Sequence, residues 1–246
     1  MRIAVAGSTG LIGSQLVALG KATGHEVVEI APSRGFDLLR PDGRLVEALT
    51  GVDAVVDVTQ SRTIEEAEAT SFFTTVAGNL GNAATKAGVG RTVLLSIVGV
   101  DRSPDYGYYV AKLAQERATR ASAPGVVVVR ATQFHNFAEQ MLGWNREGNV
   151  TRIIDVPTQP VDTAEIVALL LEVATGTVDS DVELAGPRVE RLVDMVEVLV
   201  ERQGLNVTVE AVPGPPSMAG GSMLPSPGAQ LRGPDFRTWL DARLSG

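Results

Sequence analysis

Two groups of residues in this 246-residue chain have the types and spacing to do chemistry. Tyr108 and Lys112 stand four apart in the stretch YYVAKLAQE, whose pattern is helical, so their side chains share one face. A phenol, with a pKa of about 10, exchanges its proton sluggishly at neutral pH. An ammonium group one turn away favours the phenolate and brings the phenol toward working pH. Ser96, twelve residues before Tyr108, ends an apolar run and could hydrogen-bond a substrate oxygen against that phenol. Ser96, Tyr108 and Lys112 together suffice to move a proton. The three tyrosines of the chain, Tyr106, Tyr108 and Tyr109, fall within four positions, so Tyr109 is an alternative to Tyr108. The second group is Gly7, Ser8, Thr9, Gly10, Leu11, Ile12 and Gly13, directly after an apolar N-terminal run and directly before an apolar helical pattern. Glycines there allow a tight turn, close approach to a phosphate and close packing of helix on strand. The N–H groups at the helix start then face the anion. Strand, turn and helix in that order are the context a pyrophosphate-binding turn needs.

These residues require a frame. Short β-branched or apolar runs at 2–6, 26–30, 54–58, 92–96 and 126–131 predict strands. Between them, 11–23, 45–49, 65–87 and 108–121 read as helices. Strands as continuously apolar as Val126-Val127-Val128-Val129, alternating with helices, predict an α/β fold with a doubly wound parallel sheet. Residues 1–132 are expected to form the dinucleotide-binding Rossmann core. Residues 133–246 are expected to complete the sheet and form a small C-terminal substrate lobe, the whole making one compact domain. Further helices are predicted at 163–174, 192–202 and 235–244, and strands at 152–154, 181–184 and 207–212. Residues 213–228 hold too much Gly and Pro for regular structure and read as a flap beside the site or a surface loop.

About 20 residues past the glycines, where an acidic residue would hold the ribose hydroxyls of NAD, the second strand ends in Ser33 and Arg34. A hydroxyl and a guanidinium suit a 2′-phosphate, so NADP is expected over NAD. Asp37 could meet the adenine edge or simply make a turn. Gln133, His135 and Asn136 follow the fifth strand, where parallel sheets meet ligands, and could line a substrate pocket or cap the next helix.

Four segments, GSTGLIG at 7–13, LLSIVGV at 94–100, YYVAKLAQE at 108–116 and RATQFHNF at 130–137, resemble the atypical short-chain dehydrogenase/reductases of the NmrA-like, nucleoside-sugar-epimerase-related branch. The resemblance covers most of the first 175 residues. It implies Ser96, Tyr108 and Lys112 as the catalytic set, with Lys112 also holding the nicotinamide ribose. It further implies that Val58 and Thr59, after the third strand, run along the cofactor, and that the segment after Arg130 enters the substrate pocket. The chain lacks the Asn-Asn-Ala-Gly motif common in shorter members. Its third strand ends Val58-Thr59-Gln60, and Asn79 and Asn82 are the alternatives for a fourth catalytic position.

The expected function is NADP-dependent hydride transfer to or from a small carbonyl, alcohol or quinone-type compound, with Tyr108 as acid and base. The alternatives are an NADP-binding redox sensor and a sugar-nucleotide epimerase or dehydratase. The latter is disfavoured because only about 115 residues follow the fifth strand. A net charge of −8 argues against nucleic acid as a partner. The absence of cysteine excludes disulfides and thiolate chemistry, and two histidines make a histidine metal centre unexpected. No apolar run approaches the roughly 20 residues that span a bilayer. A cytoplasmic monomer or homodimer acting on a small molecule is the expectation.

Overall fold

The computed structural model of the protein describes residues 1–245. In chain order the first half reads β1 (Arg2–Ala6), α1 (Leu11–Ala22), β2 (Glu26–Ile30), α2 (Gly43–Leu49), β3 (Ala54–Asp57), α3 (Glu66–Ala87), β4 (Arg91–Ile97), α4 (Gly107–Ser122) and β5 (Val126–Ala131). The second reads α5 (Phe137–Trp144), β6 (Arg146–Glu147), β7 (Val150–Asp155), β8 (Pro157–Thr158), α6 (Thr163–Ala174), β9 (Val182–Ala185), β10 (Glu190–Arg191), α7 (Leu192–Arg202), β11 (Thr208–Pro213), α8 (Pro216–Ala219), β12 (Gln230–Leu231) and α9 (Phe236–Leu244). The chain forms two compact units, and neither is a single stretch. The first contains Met1–Ser96, Gly107–Arg130 and Ile166–Val182; the second contains Ile97–Tyr106, Ala131–Glu165 and Glu183–Gly246. This differs from one cut at residue 132, because residues 97–106 leave the first unit and 166–182 return to it.

The first unit carries the parallel α/β sheet that alternating strands and helices predict, with strands in the order β5-β4-β3-β1-β2. The pairs β1–β2, β1–β3 and β3–β4 are all parallel, with Val5 opposite Glu29 on one side and Val56 on the other. β1 and β3 are almost wholly buried, which is why both read as continuous apolar runs rather than alternating ones. Helices α2 and α3 lay Leu45, Leu49, Val76, Leu80 and Ala84 over Ala4, Ala6, Ile30 and Val55. The strand order reverses between β1 and β3, and the crevice at the carboxyl ends of such a pair is where open parallel sheets take their ligands. Both the glycine turn after β1 and the loop after β3 open at that point.

In the second unit β7 pairs in parallel with β11 and antiparallel with β6, β8 pairs antiparallel with β10, and β9 in parallel with β12. The short strands β6, β8, β10 and β12 have no periodic signature and were not legible in sequence. Residues 213–228 differ from the loose flap their composition suggests. They contain α8 and bury Met218 and Met223 at 2% exposure each. The Arg102 guanidinium donates to the carbonyls of Ser222 (3.1 Å) and Leu224 (2.7 Å) and to Ser226 Oγ (3.1 Å). The Ser103 and Ser222 hydroxyls meet at 2.7 Å, and Asp105 accepts from the Ser217 N–H (3.0 Å) and hydroxyl. Glycine and proline there shape a tightly held path rather than a free one. Among the described residues, no helix is long and apolar enough to cross a membrane.

Candidate active site

The glycine turn leads from β1 straight into α1. Gly7 adopts φ +84°, and a Cβ there would stand 2.8 Å from Val58 O and 3.0 Å from Val58 C. At Gly13 a Cβ would come within 2.1 Å of Gly7 O and 2.9 Å of Ser8 Cα. The turn is pinned by Gly10 N–H to Gly7 O (3.0 Å) and by Gly7 N–H to Ile30 O (2.9 Å). Gly10 is the N-cap of α1, and no side chain caps the helix. Thr9, Gly10 and Leu11 are exposed, whereas Ile12 and Gly13 are buried. Ser8 is 3% exposed, and its Oγ has no hydrogen-bond partner in the protein. Buried hydroxyls are ordinarily paired, so this one is an unsatisfied polar group beside an uncapped helix N-terminus. A backbone cradle that excludes Cβ atoms, together with that orphaned hydroxyl, fits a dinucleotide pyrophosphate.

The loop after β3 ties this cradle to the proton-transfer residues. Val58 packs on Gly7, and its N–H donates to Ala6 O at 3.0 Å. Thr59 donates from both N–H (2.9 Å) and Oγ1 (2.7 Å) to Asp57 Oδ1, turning inward. The other oxygen of buried Asp57 accepts from Gln115 Nε2 at 3.1 Å. Gln115 Oε1 in turn accepts from Lys112 Nζ at 2.5 Å, and Lys112 also donates to Leu95 O at 3.0 Å. Lys112 Nζ lies 4.7 Å from the Phe73 ring centroid, and the edge of Tyr108 meets the same ring at 5.8 Å and 67°. Gln60 Nε2 donates to the Tyr108 hydroxyl at 2.6 Å. Phe73 thus gathers Tyr108 and Lys112, as their shared helical face predicts. Asp57, Gln60 and Gln115 were missed, because nothing in their spacing announces a contact made only by folding.

Burial is the main influence on Lys112 and lowers its pKa from 10.5 to about 8, against Asp57 and Glu116, which raise it. Below pH 8 the burial penalty is fully present. Between about pH 8 and 10.5 the unfolded chain binds more protons at this residue than the folded chain, so folding stability rises with pH there. Groups shared with Lys112→Met cancel in a comparison. From pH 8 to 10 the wild type should gain on the order of 2–3 kcal/mol over that variant in urea unfolding. A difference that stays flat across that window contradicts an ammonium so placed.

Ser96 is 2% exposed, but its hydroxyl donates to Glu116 Oε1 at 2.6 Å. Arg130 clamps the same carboxylate, Nε to Oε1 at 2.9 Å and Nη2 to Oε2 at 2.8 Å. This corrects the simplest expected role: a serine whose proton is engaged by a carboxylate offers a substrate carbonyl no donor until that bond is broken. Ser33 and Arg34 lie exposed in a short 3-10 turn, Pro32–Arg34, after β2. Arg34 Nη2 pairs with Glu29 Oε2 at 2.9 Å. Glu29 is held below the usual carboxylate range chiefly by a hydrogen bond from Lys21, with Arg34 adding to it. Asp37 accepts from the Leu39 N–H at 2.9 Å and so makes a turn. Asn79 donates to Leu38 O (2.9 Å) and Asn82 is exposed; Gln60 is the amide found at Tyr108.

In the second unit, Gln133 is buried and accepts from Thr158 Oγ1 at 2.9 Å. His135 is 1% exposed; its Nε2 meets Pro234 O at 3.1 Å, and its ring packs against Phe236 and Trp239, with centroids 5.9 and 5.1 Å away. Burial lowers its pKa. Both side chains are engaged within their own unit, Gln133 by a hydrogen bond and His135 by ring contacts as well. Asn136 is the half-buried N-cap of α5 but makes no side-chain cap.

No family model matches the chain, and no curated protein sequence matches it. Its structure is similar to those of known enzymes. One, MoeE5, was solved with UDP-glucose and NAD: TM-score 0.78, 17% identity, covering 100% of this chain and 98% of that one. The fold is theirs. A dTDP-4-dehydrorhamnose reductase from Bacillus anthracis, in complex with NADP, gives a TM-score of 0.75 at 14% identity, covering 98% and 97% of the two chains. The NADPH-dependent quinone oxidoreductase QOR2 of Escherichia coli, complexed with NADPH, gives 0.70 at 20% identity, covering 86% and 78%.

Proposed function

We propose that this protein is an NADP-dependent oxidoreductase that moves a hydride to or from a small carbonyl or quinone-type compound. Tyr108 is its acid–base group. The observation that carries this reading is the Asp57–Gln60 loop, which packs on the glycine turn at Val58 and reaches Tyr108 and Lys112 through Gln60, Asp57 and Gln115. The N-terminus of α1, Gly7, Gly10, Gly13 and the Ser8 hydroxyl hold the pyrophosphate. Val58 and Thr59 flank the cofactor, and Lys112 holds the nicotinamide ribose. The cofactor supplies the hydride. Tyr108 donates the proton to the substrate oxygen, and Lys112 favours the phenolate that remains. Ser96 fixes Glu116 and Arg130 behind this arrangement. NADPH consumption over a panel of quinones, aldehydes and ketones, beside a cofactor titration, tests the reading. Turnover of at least one class is expected; binding without any turnover points instead to a redox sensor.

A second reading, an enzyme of sugar nucleotides, is favoured by one specific finding. A protein matched over 98% of its length was solved with UDP-glucose and NAD, so the argument from a short C-terminal part loses its force. UDP- and dTDP-hexoses therefore belong in the same panel.

The choice of NADP rests on Ser33 and Arg34. Arg34 carries more N–H donors than its pair with Glu29 uses, leaving some for a 2′-phosphate. Arg34→Ala should weaken NADPH binding by about 10- to 100-fold, the range of a charged hydrogen bond, and leave NADH binding nearly unchanged. Equal weakening of both cofactors in fluorescence titrations would reject the assignment.

A further inference from the structure

We propose that Gln60 is a positioning residue whose side-chain amide holds the Tyr108 phenol oxygen and stabilises its ionised form. Gln60 follows β3 in a loop whose path is set by contacts unrelated to Tyr108: Val58 against Gly7, and Thr59 bonded twice to buried Asp57. From that anchored backbone the amide reaches the phenol at 2.6 Å. The Tyr108 ring is itself 9% exposed and rests on the fully buried Phe73 ring, so an apolar surface disfavours charge on its oxygen. Lys112 acts on that oxygen through space, its ammonium being bonded to Leu95 O and Gln115 Oε1. Gln60 supplies a direct donor. When the Tyr108 O–H bond breaks and its proton passes to the substrate oxygen, the electron pair stays on the phenol oxygen. That oxygen, now a stronger acceptor, draws a shorter and stronger bond from the Gln60 N–H. A donor to the charged form favours it, so Gln60 makes Tyr108 a better acid without touching the substrate.

The inference rests on Tyr108 being the proton donor, but its test reads the phenol itself. With only three tyrosines in the chain, Cζ-labelled tyrosine gives three carbon resonances, and the Tyr108→Phe spectrum assigns one of them. Gln60→Met keeps the length of the side chain and removes the donor; Gln60→Glu keeps its shape and sets a carboxylate against the phenol. Both should raise the Tyr108 titration midpoint by about one pH unit or more, leaving those of Tyr106 and Tyr109 in place. If a substrate is in hand, the Gln60→Met pH profile of kcat should shift upward by the same amount. An unchanged midpoint in both variants, with circular dichroism showing them folded, overturns the proposal. A lowered midpoint in Gln60→Met overturns it too, since the phenol would then be donating to the amide oxygen. Failure of the acid role looks different: Tyr108→Phe turns over normally while the Gln60 variants still move the midpoint.

Discussion

Replacing Tyr108 by Phe should cut turnover by roughly 10²–10⁴-fold, the contribution of a positioned acid–base group, while NADPH affinity stays within about twofold of the wild type. The ring keeps its edge contact with Phe73, and the cradle at Gly7 and Gly13 is untouched. Only the hydroxyl held by Gln60 is lost. Tyr109→Phe is the control, because adjacent helical residues point about 100° apart. Steady-state kinetics on whichever substrate class proves competent, with a parallel NADPH titration, decide the matter. A dead Tyr109→Phe beside an active Tyr108→Phe moves the acid by one residue. Normal turnover in both removes the tyrosine mechanism and leaves only the nucleotide cradle.

A comparably large effect is expected at the other end of the site. In Gly13→Ala the new Cβ meets three backbone atoms, Gly7 O at 2.1 Å, Gly7 C at 2.8 Å and Ser8 Cα at 2.9 Å. No flexible side chain can yield, so the turn itself must open, and with it the approach of Val58 to Gly7. We expect a loss of about 3–5 kcal/mol in urea unfolding, in the severe range for one substitution, and a rise of at least about 100-fold in the NADPH dissociation constant. Gly10→Ala is the contrast: its Cβ would lie 3.4 Å from Gly7 O, and a cost below about 1 kcal/mol is expected. If the two alanine variants unfold at the same urea concentration, the packing argument for Gly13 fails.

What could be read in the sequence and what could not divide along a physical line. The glycine turn, the Tyr108–Lys112 face and the main strands and helices are local patterns, and each was found within one or two residues of its expected place. The partners of those residues are non-local. Gln60 meets a tyrosine 48 positions away, Gln115 meets an aspartate 58 away, and Ser96 donates a hydrogen bond to a glutamate 20 away. His135 invited a functional reading because it follows a strand end, yet Phe236 and Trp239 bury it from about 100 residues downstream. Composition also misled at 213–228, where glycine and proline suggested looseness. Arg102, Ser103 and Asp105, which clamp the segment, lie in a different part of the sequence.

The division of the chain into interleaved units carries a consequence for its synthesis. Everything the first unit needs has left the ribosome once Val182 is clear. The second unit already has Ile97–Tyr106 and Ala131–Glu165 outside by then, but its remaining segment, Glu183–Gly246, has yet to emerge. At roughly 5–20 residues per second that segment takes about 3–13 s to arrive. During that interval Met195, Leu199 and Phe236, buried in the finished protein, emerge too late to cover their neighbours from the start. A ribosome stalled at the point where Val182 has just emerged from the exit tunnel should therefore present a protease-resistant first unit beside cleavable 97–106 and 131–165 segments, and an early stop codon before Phe236 should leave His135 open to solvent.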